Sequence, residues 1–150
     1  MLLLNQNKSA EALKRLQSCK GRVADEPFLD DLIMSAQVGV AFDQGDYDEF
    51  LALALQMDAR HKDDPAYVGQ LASAYACKYA ETSDEQYKVK SLAALDRART
   101  LASSKPEYEE YYAEYEPRIL HRLYTRQIIS RNEFNKRYPN GWTQKDEETP

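Results

Sequence analysis

The stretch 44–50, QGDYDEF, decides how the chain folds. Gly45 and Asp46 end one helix and cap the next, and Glu49 follows Asp46 at the three-residue spacing of a capping box. Tyr47 adds a large anchor at the start of the new helix. Apolar residues at helical spacing flank the stretch on both sides, so a stop and a start this close join two helices into a hairpin.

The turn recurs. QGDYDEFLALALQM begins at Gln44 and QNKSAEALKRLQSC at Gln6, 38 residues earlier, and Pro27 and Pro65 are also 38 apart. Ser9 precedes Pro27 by 18 residues, as Tyr47 precedes Pro65. A third copy lies in AETSDEQYKVKSLAALDRA. There Tyr87 precedes Pro106 by 19 and Pro106 follows Pro65 by 41, which leaves a one-residue slip. Leu13, Leu16 and Cys19 correspond to Leu51, Ala54 and Met57, then to Leu92, Leu95 and Ala98, each set a stripe on one helix face. Leu29, Leu32, Ile33, Ala36 and Val40 form a second stripe, matched by Tyr67, Leu71, Ala74 and Tyr75. Each unit therefore reads as two amphipathic helices. Asp64 before Pro65 is a good N-cap, Glu26-Pro27 and Lys105-Pro106 are poorer ones, and Ser83 to Gln86 and Ser130 to Glu133 have capping-box spacing.

Over roughly residues 5–106 the pattern resembles the tetratricopeptide (TPR) repeat, chiefly through QGDYDE with its preceding helix and the helix-then-proline after it. The period of 38 to 41 exceeds the family's usual one, and Phe50, Ala41 and Ala54 swap the family's small and aromatic positions. The resemblance implies an all-α, right-handed solenoid of TPR-like helical hairpins, about seven helices in all, closed by a C-terminal capping helical segment. It also implies protein binding on a concave face of first helices, where Asp30, Gln37, Tyr67, Gln70 and Tyr75 are the candidate contacts. Some members grip a partner's C-terminal carboxylate with Lys and Asn. The matching positions here hold Ser35, Gly39, Ser73 and Cys77, so that clamp is absent.

Composition narrows the possibilities. With 150 residues, 43% apolar and 30% charged, the chain suits a soluble domain with a real core. Its net charge of −5 does not favour nucleic acid. Cys19 and Cys77 form no CxxC pair and read as buried free thiols, in keeping with a reducing, cytoplasmic compartment. MLLL is too short for a signal peptide or a membrane span. Only eight residues precede Ser9, too few for a first helix, and MLLLNQ reads either as a frayed remnant or, as we favour, as the edge of an excised domain.

After Pro106 the pattern changes. EYEEYYAEYE, 107–116, reads as a cap helix with Tyr108, Tyr112 and Tyr115 inward and Glu outward, or as a tyrosine-rich recognition surface. Pro117 should end or kink it, and Ile119, Leu120, Leu123, Tyr124 and Ile128 form the next apolar face. A short helix running to about Tyr138 closes a domain spanning 1–138. YPNGW is a turn, and 139–150 is expected to be a disordered polar tail.

Catalytic motifs are missing: there is no G-x-S-x-G, H-E-x-x-H, P-loop or G-x-G-x-x-G, and His61 and His121 read as surface residues. DQGDYDEF fails the EF-hand spacing, because Asp48 and Ala54 stand where Gly and Glu belong. Neither a metal nor a cofactor is predicted. Arg118, Arg122 and Arg126, four apart, make a stripe that either docks an acidic peptide or phosphate or is a solvated face paired with the preceding acids. The sequence thus points to a non-enzymatic scaffold or adaptor that binds a protein or peptide, without nucleic acid and without membrane insertion, and open to forming homo-oligomers. The alternative is an accessory or self-association domain of a larger, membrane-bound or enzymatic protein.

Overall fold

The computed structural model describes residues 9–20 and 27–148 and is all-helical across them, with no strand. The opening MLLLNQ and the Glu26 cap lie outside the described residues. Two compact units divide the chain, Met1–Arg60 and His61–Pro150. No helix among the described residues is long and apolar enough to cross a membrane.

The first unit holds α1 (Ser9–Lys20), α2 (Pro27–Asp43) and α3 (Tyr47–Arg60), with α2 packed against both others. The α2–α3 turn is built as its sequence dictates. Gly45 takes φ +71°, its N–H donates to Phe42 O, and the Asp46 N–H reaches back to Ala41 O at 2.8 Å, the paired bonds of a Schellman stop. Asp46 then caps α3 by accepting the Glu49 N–H at 3.1 Å. Phe42 meets Phe50 edge-to-face at 5.9 Å across the turn. The core face of α3 is Phe50, Leu53, Ala54 and Met57. Gly39 lets α1 approach α2 closely, since a Cβ there would lie 2.7 Å from Ser9 Oγ. Cys19, expected inside, is exposed, because burial on α1 is confined to its N-terminal part, at Ser9 and Ala12, and Cys19 lies on the same face in the last turn.

In the second unit α4 (Pro65–Thr82) pairs with α5 (Glu85–Ser103), and α6 (Glu109–Thr125) packs on both after a 3₁₀ turn at Pro106–Tyr108. Val68, Ala72, Ala76, Leu95, Ala98, Ile119 and Leu123 make the centre of their core. The α4–α5 turn corrects the expected cap. Ser83 sits at φ +63° in the left-handed region, and Asp84, not Ser83, caps α5 by accepting the Gln86 N–H at 3.0 Å. Asp64 and Ser130 cap α4 and α7 (Arg131–Arg137) as their spacing predicts. Pro117 does not end α6, which runs through it. Ordered structure also continues past Tyr138 into the stretch read as a disordered tail. Gly141 (φ +90°) completes a turn, Trp142 is buried, and α8 (Lys145–Glu148) follows.

Candidate functional site

The expected tyrosine face of α6 is present. Tyr112 is buried and donates its hydroxyl to Leu95 O at 3.0 Å, while Tyr115 lies over Gly69, where a Cβ would come 3.1 Å from the ring. Glu109, Glu110 and Glu114 point outward, and Glu116 pairs with Arg99. Burial pushes the phenols of Tyr112 and Tyr115 above their usual range, so both stay neutral.

The three arginines do not form a docking stripe. Arg122 is only 7% exposed and turns into the unit, donating to Ser73 O at 3.2 Å, Ser73 Oγ at 2.7 Å and Cys77 Sγ at 3.3 Å. Arg118 is half-buried with its guanidinium 5.0 Å from the Tyr115 ring. Arg126 alone is exposed. It closes α6 at φ +61°, donates to Ala80 O, and lies 6.0 Å from the Tyr79 ring. The reason is on α4, where Gly69, Ser73, Cys77 and Ala80 present small side chains along the line that α6's long ones follow. The Cys77 thiol is raised above its usual pKa by burial, against the opposing pull of Arg122, which keeps it protonated and unreactive.

The other predicted contacts take up separate settings. Asp30 and Gln37 are half-buried on α2 of the first unit, Gln37 beside Leu13 and Glu49. In the second unit Tyr67 stacks on His61 at 4.5 Å, and Tyr75 stacks on Tyr87 at 6.4 Å with Lys90 over its ring. Gln70 is half-buried, its Oε1 without a hydrogen-bond donor among the described residues.

A larger feature lies between α5 and α6. A groove of about 490 Å³ is lined by Leu92, Pro117, Leu120, Leu123, Tyr124 and Trp142, with Lys88, Glu116, Thr143 and Gln144 at its edges. Its size falls within the range of small binding sites. Leu92 is 39% and Tyr124 44% exposed, so two of its large apolar side chains face water. Lys88 brings a positive charge to the rim, its ammonium 5.7 Å from the Tyr79 ring.

Behind the Trp142 wall sits His121, read from sequence as a surface residue but only 1% exposed. Phe134, Tyr138 and Trp142 surround its ring at 5.5, 5.3 and 5.2 Å. Its Nε2 lies 3.3 Å from Tyr138 Oη, which is 3.2 Å from Glu147 Oε1, and the same oxygen accepts from Trp142 Nε1 at 3.1 Å. One hydroxyl carries one proton. With Tyr138 donating to Glu147, its oxygen can accept only from His121, which places the imidazole proton on Nε2. Nδ1 is then a bare acceptor, buried without a partner among the described residues. Burial lowers the His121 pKa below its ordinary value, Glu147 opposes that, and Arg137 and Arg122 add to it. Ring faces around a desolvated cation return ~2 kcal/mol, less than the several kcal/mol of desolvation. The neutral form is therefore the one this pocket holds. Phe134, Tyr138 and Trp142, four residues apart after the Ser130 cap, are the sequence signal for this cluster.

No family model, curated protein or solved structure matches the chain.

Proposed function

We propose that this chain is a non-enzymatic protein-binding module, a scaffold or adaptor, whose second unit receives an apolar helical segment of its partner in the α5–α6 groove. The observation that carries this reading is the groove itself, with Leu92 and Tyr124 left in water on opposite helices. With about two-fifths of each side chain still in water, a partner that covers them gains roughly 1 kcal/mol apiece. A groove between helices accepts an amphipathic helix by its apolar face. The protonated Cys77 and the enclosed His121 support a binding role over a catalytic one. Stacking of TPR-like hairpins and a cytoplasmic setting belong to the same proposal.

Peptides selected from a library of amphipathic helices against the intact protein test it. Their affinity should fall at least about tenfold in Leu92→Glu, a single exposed change that leaves the helical signal intact. Selected peptides whose binding ignores both Leu92→Glu and Tyr124→Glu would overturn the groove as the docking site.

A further inference from the structure

The groove's end wall is not part of either helix that forms its sides. Trp142 belongs to the segment after α7, which meets α6 at His121 through Tyr138 and Trp142 and at Tyr124 through Trp142. Tyr138, Trp142 and Glu147 form one connected set: the indole and the phenol both donate to the Glu147 carboxylate, and the phenol oxygen accepts a hydrogen bond from His121 Nε2–H. Protonation leaves these links in place and adds an N–H at Nδ1, which is buried with nothing among the described residues to receive it.

We propose that His121 is a pH-sensitive latch: neutral, it holds the 138–147 segment and the Trp142 wall of the groove in place, and protonated, it releases them. A second proton must go to Nδ1, which is enclosed and has no acceptor among the described residues. The charged groups facing the ring do not supply one. Glu147 attracts the cation but is already engaged by Tyr138 and Trp142, while Arg122 on α6 and Arg137 on α7 repel it. Swinging the segment away gives the imidazolium water on the side that Tyr138 and Trp142 covered. The released state then binds the proton more readily than the latched one. Stability of the latch is complete above the ordinary histidine pKa of about 6.5 and falls as pH drops from there toward the lowered value of the latched state.

This deepens the docking reading by naming its regulation, and its consequence for a partner rests on that reading, whereas the latch can be tested with no partner present. Trp142 is the only tryptophan, so its emission reports the wall directly. In the intact protein, lowering pH from 7.5 to 5.0 should shift that emission to the red with a midpoint below about 6.5, while the far-ultraviolet helical signal is largely kept. His121→Phe should hold the emission constant over the same range. Constant emission in the unaltered protein, or the same shift in His121→Phe, would overturn the latch. Should His121→Phe not fold, nuclear magnetic resonance titration of His61→Gln, in which His121 is the sole imidazole, decides the matter. Titration below about 6.5 together with the emission shift supports the latch, and titration at or above it overturns it. A clear latch transition combined with no peptide affinity would leave the latch standing and remove the docking role.

Discussion

His121 and Arg122 are neighbours on one helix, both buried, and the two sides of α6 treat them in opposite ways. On the side facing α4, Arg122 meets a carbonyl, a hydroxyl and a thiol. On the side facing the C-terminal segment, His121 has one long hydrogen bond and an idle nitrogen within three aromatic rings. The first arrangement anchors a charged donor by three hydrogen bonds from Nη1 and is costly to disturb. The second is held only while its polar group stays neutral, so it can respond to conditions. A buried polar residue is fixed or switchable according to how fully its neighbours answer it.

Arg122→Ala tests the satisfied side and carries the largest expected effect. It removes hydrogen bonds from a charged donor and leaves a void, and should destabilise the unit by about 3 kcal/mol in urea unfolding. A loss under about 1 kcal/mol would mean the guanidinium is no more committed than the imidazole. Ser73→Ala removes one of its partners but not the carbonyl, and should cost about 1 kcal/mol by the same measurement. His121→Phe should change stability by less than about 1 kcal/mol at pH 7.5, since a ring of similar size replaces a weakly bonded one. A larger loss there would erase the contrast between the two sides.

The hairpins were legible because their signals are local. Helix starts at Ser9, Tyr47 and Glu85 follow one another at 38 residues, the spacing visible between Gln6 and Gln44 and between Pro27 and Pro65. Aligning the third copy on Tyr87 misplaces it by two residues. Ser83 takes the left-handed position of Gly45, so the eye passes over a turn that lacks its glycine. The longer α5, 19 residues against 14 in α3, accounts for the displaced Pro106. The arginines misled for a different reason. Residues four apart do share a helix face, but their spacing cannot say whether that face meets water or a run of small residues on another helix. Gly69, Ser73 and Cys77 carried that information, and a search for lysine and asparagine at Ser73 and Cys77 treats those two only as a missing clamp. His121 was misread because its surroundings come from residues 13 to 26 positions later, and two of them, Trp142 and Glu147, lie in a stretch whose polar composition suggested no order.

Gly39 and Ser9 place a different kind of constraint on the first unit. Any side chain at 39 would enter the space of the Ser9 hydroxyl, so Gly39 cannot vary alone at little cost. A larger residue at 39 would need a smaller one at Ser9, 30 residues earlier, for α1 and α2 to keep their close approach.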